Sequence, residues 1–295
     1  MKHVLVVGDV VDDISVRLLG EVTAASDTNA EIRMRPGGSA ANVAAWLGHL
    51  GVPTRFVGRV GADAVERHGR ALAEHGVEPF LAGDQVLTTA TIVLQLDDAG
   101  ERTMFVDRGA NRGLTTDDVP ASAWDDVGWL HLTGYTFFDA DTRPLALALV
   151  EHARSIGAGV SVDPSTVSFL REAGASTFLD WVSDVDLVVP NLEEARVLVD
   201  ARGPQIDLEA LAARFPHVVI TLGAMGAAYV GAEVREQVTA PRVQVVDTTG
   251  AGDAFAAGFL SAWLVDRKPL PALEAGRAAA EQCVARLGAR PHARA

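Results

Sequence analysis

From residue 129 onward, short apolar runs alternate with longer runs of helical period, and this rhythm constrains the fold more than any other feature. "GWLHLTG" precedes a helix expected over 143–156, "GVSVDPS" one over 175–182, and "VDLVVPN" one over 191–199. "HVVITLG", "AAYVG" and "VQVVDTTG" read as further strands, and two helices close the chain. Strands separated by helices pair in parallel, and a parallel sheet must be covered on both faces. The expected fold class is α/β: a mainly parallel central sheet with helices on both sides.

The first part of the chain keeps the rhythm less strictly. "HVLVVGD" reads as a first strand rather than a signal peptide, because no small-residue cleavage site follows its apolar run. "EIRMRPGGSAANVAAWLGHLG" sets an alternating strand against Gly37-Gly38 and then a helix of small and apolar residues. "TRFVGRVG" is a strand, and "DAVERHGRALAEHG" an amphipathic helix stopped by Gly76. "TTATIVLQLDDAG" and "ERTMFVDRGAN" read as strands joined by a hairpin at 97–101. The β runs near 14–36 and 88–108 break the alternation and are assigned to a small accessory sheet. With no repeat and no linker, 1–295 is expected to be a single domain.

Composition narrows the function. A net charge of −14 argues against nucleic-acid or anionic-membrane partners. The longest apolar run, 254–265, is too short to span a bilayer. Cys283 is the only cysteine, which fits a reducing, cytoplasmic setting. Lys2 and Lys268 are the only lysines, and no GxxxxGK[ST] exists, so a Walker-type phosphate loop is excluded. Neither lysine has a setting for Schiff-base chemistry. His68 and His75, two helical turns apart, read as a solvated helix face rather than a metal pair.

The chemistry concentrates in short strings. In "DTTGAGDAF", Gly250, Ala251 and Gly252 carry almost no side chain, so the first N–H groups of the following helix can face an anion. Asp253 in the same turn should stay ionised beside the positive end of the helix dipole, ready to accept a hydroxyl proton. Without a ligand the string is simply a tight strand-to-helix turn. "PNLEEA" opens another helix, where Glu193 and Glu194 complement the dipole. There Asn191 could also touch a nucleotide phosphate, with Glu194 organising Mg²⁺ through water. The turn Thr221, Leu222, Gly223, Ala224, Met225, Gly226 is either a hairpin or a backbone wall along a nucleotide. "GGSAAN" offers backbone groups and the Asn42 amide to a polyol, and Asp9 and Asp13 stand at the end of the first strand, where α/β proteins place ligands.

These strings, in this order, resemble the ribokinase-like carbohydrate kinases, the phosphofructokinase-B group, over nearly the whole chain. "GGSAANVA" is similar to the family's Gly-Gly region, "PNLEE" to its Asn-x-x-Glu motif, and "DTTGAGDAF" to its C-terminal motif. The resemblance implies a ribokinase-like three-layer fold and ATP-dependent phosphorylation of a sugar. It implies that Asp253 is the base and Gly250, Ala251 and Gly252 the anion hole. Asn191, Glu194 and the turn 221–226 would line the ATP–Mg²⁺ site. Asp9, Asp13, Gly37, Gly38, Asn42 and Arg108 would hold the sugar. Asp247 and Thr249 stand where a monovalent cation such as K⁺ would bind, and the odd β segments look like a lid that can also make a dimer contact. Two substrate positions depart from ribokinases proper: Val11 replaces an Asn and Ser39 replaces a Lys. Arg33, Arg35 and Arg108 could serve a carboxylated or phosphorylated sugar, although solvated edge-strand charges explain them more simply. A nucleoside kinase on the same scaffold is the alternative, set back by the 6% aromatic content. An NAD-dependent oxidoreductase lacks its GxGxxG, and a non-catalytic sugar-binding protein would not need Asp253.

Overall fold

The computed structural model describes residues 1–22, 25–96, 102–201 and 206–292. Along the chain come β1 (His3–Val7), β2 (Val11–Leu18), β3 (Ala30–Gly37), α1 (Ser39–His49), β4 (Thr54–Gly61), α2 (Val65–Ala73) and β5 (Val77–Asp84). Then follow β6 (Ala90–Leu96), β7 (Arg102–Asp107), β8 (Val127–Thr133), α3 (Gly134–Phe138), α4 (Arg143–Ser155) and β9 (Gly159–Asp163). The next elements are α5 (Val167–Ala173), α6 (Ala175–Trp181), β10 (Leu187–Val188), α7 (Leu192–Leu198), α8 (Leu208–Ala212) and β11 (His217–Thr221). The last are β12 (Ala227–Gly231), β13 (Arg235–Val238), α9 (Ala251–Asp266) and α10 (Pro269–Val284).

Among the described residues, nine strands form the main sheet in the order β13-β12-β11-β10-β9-β8-β1-β4-β5. From β11 to β5 the pairings are parallel, and β12 and β13 add an antiparallel edge. The expected three-layer α/β architecture is present. Side chains of a strand alternate between faces, and β1 shows what that does. Val4 and Val6 enter one core with Trp46, Phe56, Phe259 and Trp263, while Leu5 and Val7 enter the other with Leu130, Leu132, Phe137 and Phe178.

The β runs that broke the rhythm form a separate four-stranded sheet, β3-β2-β6-β7. β2 pairs with β3 antiparallel and with β6 in parallel, a long-range pairing that brings Asp13 opposite Ile92. β6 and β7 pair antiparallel as a hairpin would, but the turn expected at 97–101 lies outside the described residues.

Two expectations fail. The strand expected in "VQVV" is absent. The segment follows Pro241, the N–H groups of Val246 and Asp247 both reach the Val284 carbonyl (2.8 and 3.3 Å), and Val245 and Val246 are exposed. β13 already holds the sheet edge, so these valines have no ladder to join. The second failure is the solvated histidine face. His68 and His75 are buried, His68 packing 3.2 Å from the Asp12 carboxylate that Arg67 clamps with two hydrogen bonds. α2 turns His68 inward while Glu66 and Arg70 pair with each other on its exposed side, and His75 lies in the turn that follows the helix. Gly76 does end this segment, with φ 83°.

Candidate active site

The carboxyl ends of the parallel strands and the N-termini of α1 and α9 converge on one end of the sheet. Asp9, just past β1, accepts from Ser39 N (2.6 Å), Ala40 N (3.1 Å) and Thr133 Oγ1 (3.3 Å). Both its oxygens thus anchor the start of α1, and Asp9 also lines a cleft at this end of the sheet. Gly38 makes that approach possible. Its φ is 96°, and a Cβ there would lie 2.4 Å from the Asp9 carbonyl oxygen. Asp13 pairs through its backbone in β2, while its carboxylate makes no hydrogen bond among the described residues and lines the same cleft as Asp9. Burial pushes its carboxyl up to about 6, with Arg290 pulling the other way.

Gly250 starts α9 in the left-handed region (φ 75°), where a Cβ would meet Ala289 at 2.4 Å. The Ala251 N–H bends back to the Thr248 carbonyl at 3.3 Å, while those of Gly252 and Asp253 have no intrahelical carbonyl to reach. Asp253 is held from α1: Ser39 Oγ donates to Oδ1 (2.7 Å) and Asn42 Nδ2 to Oδ2 (2.9 Å). Its ionisation differs from expectation. Burial, with the nearby carboxylates of Asp9 and Asp13, pushes it up to about 7 against those two hydrogen bonds. A helix dipole contributes only ~0.3–1 kcal/mol, too little to offset burial.

Across the cleft, Asn191 caps α7. Its Oδ1 accepts from Glu193 N and Glu194 N (both 3.0 Å), and Glu194 Oε2 accepts from Asn191 N (2.9 Å) in return. Glu194 is buried and pushed up to about 7. Asp163, at the end of β9, is pushed well above the usual carboxylate range by burial and by Glu194. Thr221 sits beside Asn191 through a parallel bridge, but Leu222 to Gly226 form the turn between β11 and β12, with Gly223, Ala224 and Met225 exposed. Asp247 Oδ1 accepts from Thr249 N (3.0 Å) and Oγ1 (2.7 Å), and Oδ2 from Gly288 N (3.1 Å).

Two clefts meet here. One, of about 460 Å³, has Asp13, Asn42 and Asp253 on its floor and Val11 at its side, under a roof of Ile92, Leu94, Met104 and Val106 from the small sheet. The other, of about 280 Å³, is lined by Asp163, Asn191, Glu194, Thr221, Ala251 and Gly252. Ser39, Tyr135, Gly250 and Asp253 line both. Arg108 is not a solvated edge charge. It donates to the Tyr135 carbonyl (3.2 Å), approaches Asp139 (3.7 Å) and lies over the Tyr135 ring. Arg35 lines the first cleft, while Arg33 is exposed.

Sequence reasoning passed over Asp163, Tyr135 and Arg290. Asp163 had a usable signal, an acid closing an apolar strand in "VSVDPS". Arg290 had none.

A model of the pfkB family of carbohydrate kinases matches residues 1–294. A fructokinase of Vibrio alginolyticus is 30% identical over 269 residues, covering 88% of this chain and 84% of its own length. The structure resembles an adenosine kinase from Sinorhizobium meliloti with TM-score 0.86 at 26% identity, covering 98% of this chain and 96% of that one. A fructokinase from Vibrio cholerae O395, solved with fructose, ADP and calcium, aligns with TM-score 0.81 at 28% identity, covering 98% and 94%.

Proposed function

Since this chain belongs to the pfkB family and is a carbohydrate kinase, we propose that it transfers the γ-phosphate of ATP to a hydroxyl of a small carbohydrate, with Asp253 as general base. One observation carries this reading: among the described residues, Asp253 is the only acid that lines both clefts. An acceptor in the first cleft and a triphosphate in the second would meet at this side chain.

Asp253 takes the hydroxyl proton as that oxygen bonds to the γ-phosphorus, the bond from phosphorus to the bridging oxygen breaks, and ADP leaves. A base near 7 is matched to this task at neutral pH. The N–H groups at the start of α9 face the charge that builds on the transferring phosphoryl group. The donor set of the second cleft fits Mg²⁺. Glu194 and Asp163 are buried acids whose proton affinity burial raises, and the Glu194 charge raises that of Asp163 further, a repulsion that a cation relieves. No group of three or more acids, histidines or cysteines among the described residues could hold a metal alone, so these two would act through water and nucleotide phosphate. Bound Mg²⁺ would neutralise phosphate charge. Asp247 and Thr249, which line the first cleft beside Gly250, belong to the same reading as ligands of a monovalent cation.

The acceptor site has a polar floor, where Asp13 is free to take sugar hydroxyls, and an aliphatic roof closed at one end by Tyr135 and Phe169. That roof favours a second reading of the acceptor, a sugar carrying a flat heterocycle. Bulk aromatic content is a poor guide here, because the pocket's own lining decides. The small sheet is proposed as a lid over the acceptor. Its opposite face, where Ile32, Met34 and Phe105 are exposed, is proposed to meet a second copy of the chain. An ADP-release screen against pentoses, hexoses, sugar acids, sugar phosphates and nucleosides tests the assignment. Turnover with a free sugar supports the first reading and turnover confined to nucleosides the second. No ADP release with any acceptor overturns both.

A further inference from the structure

Arg290 lies in the segment after α10, and it is the only basic side chain of the described residues that hydrogen-bonds to a partner of Asp253. Its Nε donates to Asn42 Oδ1 (3.2 Å) and its Nη2 to the Gly37 carbonyl (2.9 Å). The guanidinium is buried, and its Nη1 has no hydrogen-bond partner among the described residues. Leaving a buried cationic N–H unsatisfied costs stability, so this placement is poorly explained by stability alone.

The chemistry of Asn42 explains it better. The two ends of a side-chain amide have nearly the same shape, so sterics alone do not fix which one faces a neighbour. A guanidinium carries only donors and can face only the carbonyl end. With Arg290 on Asn42 Oδ1, the NH₂ end is left to face Asp253 Oδ2, where it donates at 2.9 Å. The flipped amide would set a carbonyl oxygen against the carboxylate. We propose that Arg290 is a positioning residue that locks the Asn42 amide toward Asp253 and thereby fixes the orientation of the base, while Nη2 holds the Gly37 carbonyl at the edge of the acceptor cleft.

Other groups around Asp253 do not duplicate this function. Asp9 after β1, Asp13 in β2 and Asp163 in β9 repel its charge, Tyr135 comes from α3, and Cys283 from α10 donates toward the Thr249 and Ala289 carbonyls. Ser39 shares the hold on Asp253 but has a hydroxyl that can turn either way. Among carboxylates the guanidinium stays cationic, although burial lowers its pKa to about 10.

The proposal rests on Asp253 being the base, and the two ideas separate in one set of full-length variants assayed with an accepted acceptor. Arg290→Gln, whose amide donates or accepts, should lower kcat by ~10–10²-fold, the scale of a misplaced catalytic group, with the KM for ATP unchanged. Arg290→Lys, a donor only, should restore most of that loss. Arg290→Gln should cost several-fold less kcat in an Asn42→Ala background than in the wild type, because the Asn42 contact is already gone and only the Gly37 contact remains to be lost. Losses that multiply, a Lys variant no better than Gln, or a Gln variant at wild-type kcat would overturn the proposal. Should Arg290→Gln fail to fold, Asn42→Asp decides. It keeps the contact with Arg290 but offers Asp253 an acceptor, so wild-type kcat there overturns the proposal and a ~10–10²-fold loss supports it. Full turnover by Asp253→Asn would instead remove the base assignment itself.

Discussion

Ser39 Oγ donates to Asp253 Oδ1 at 2.7 Å, joining the first residue of α1 to the first turn of α9 across 214 positions of sequence. The resemblance to ribokinases places a lysine at this position, and here a neutral hydroxyl stands in its place. Asp253 therefore gains a hydrogen bond without an adjacent ammonium, and burial carries it up to about 7. Its ionised form is the base, so kcat/KM should fall as pH drops below about 7. Ser39→Ala removes a bond that favours the ionised form, and the acid limb should move to higher pH by roughly one unit, the scale of a charge-assisted hydrogen bond. Superimposable pH–rate profiles for the two proteins would show that Asp253 does not govern that limb.

Asp253→Asn should lower kcat by ~10²–10⁴ while the affinity for an ATP analogue holds. Stability should move the other way. The folded pKa of about 7 lies above the ordinary 3.8, so the stability tied to the protonated form is complete below about 3.8 and lost as pH rises through about 7. The Asn variant has no such loss. Its Tm, compared with wild type, should gain between pH 5 and pH 8, and a gap between the two proteins that stays constant over that range would refute the burial argument.

Much of this site was legible because it is built from contiguous strings. "DTTGAGDAF" supplied Asp253 and Gly250, "GGSAAN" supplied Ser39 and Asn42, and "PNLEE" supplied the capping box of Asn191 and Glu194. The alternation of strands and helices gave the parallel sheet because both faces of each strand had to be apolar. The rest depended on contacts that leave no local pattern. The parallel pairing of β2 with β6 joins segments far apart in sequence, and an apolar run such as "VQVV" looks the same with or without a ladder to join. Position alone placed Asp9 at the ligand end of the sheet, whereas its partners at the start of α1 were not visible in the sequence. Arg290 has no neighbours in sequence that hint at Asn42.

Glu194 serves as a capping residue and, in the proposed reading, as part of the Mg²⁺ surroundings, and two substitutions separate these functions. Glu194→Gln keeps an acceptor for Asn191 N but loses the charge, so Tm should hold while the Mg²⁺ concentration for half-maximal rate rises several-fold. Glu194→Ala also loses the cap contact, which adds a cost of about 1 kcal/mol and lowers Tm by about 2–4 °C for a chain of this size. Thermal melts and Mg²⁺ titrations of both variants check this. If the Gln and wild-type titrations superimpose, Glu194 is only a capping residue.

The small sheet presents Ile92, Leu94, Met104 and Val106 to the acceptor cleft, and Met104 and Val106 are still largely exposed (58% and 61%). An acceptor seated on Asp13 would cover these side chains, whereas a nucleotide in the second cleft would touch none of them. Closure should therefore follow the acceptor rather than ATP, keeping water from the γ-phosphate until a hydroxyl is in place. Arg108, at the end of β7, ties this sheet to Asp139 and the Tyr135 carbonyl on the main body. Hydrogen exchange in 90–96 and 102–107 should slow with the accepted acceptor, with or without nucleotide, and should not slow with ATP alone. Arg108→Ala should speed exchange in 102–107 without ligand and weaken acceptor binding more than ATP binding. Equal exchange in these strands with and without acceptor would identify them as a fixed accessory sheet, and the aliphatic roof would then be a permanent wall of the pocket.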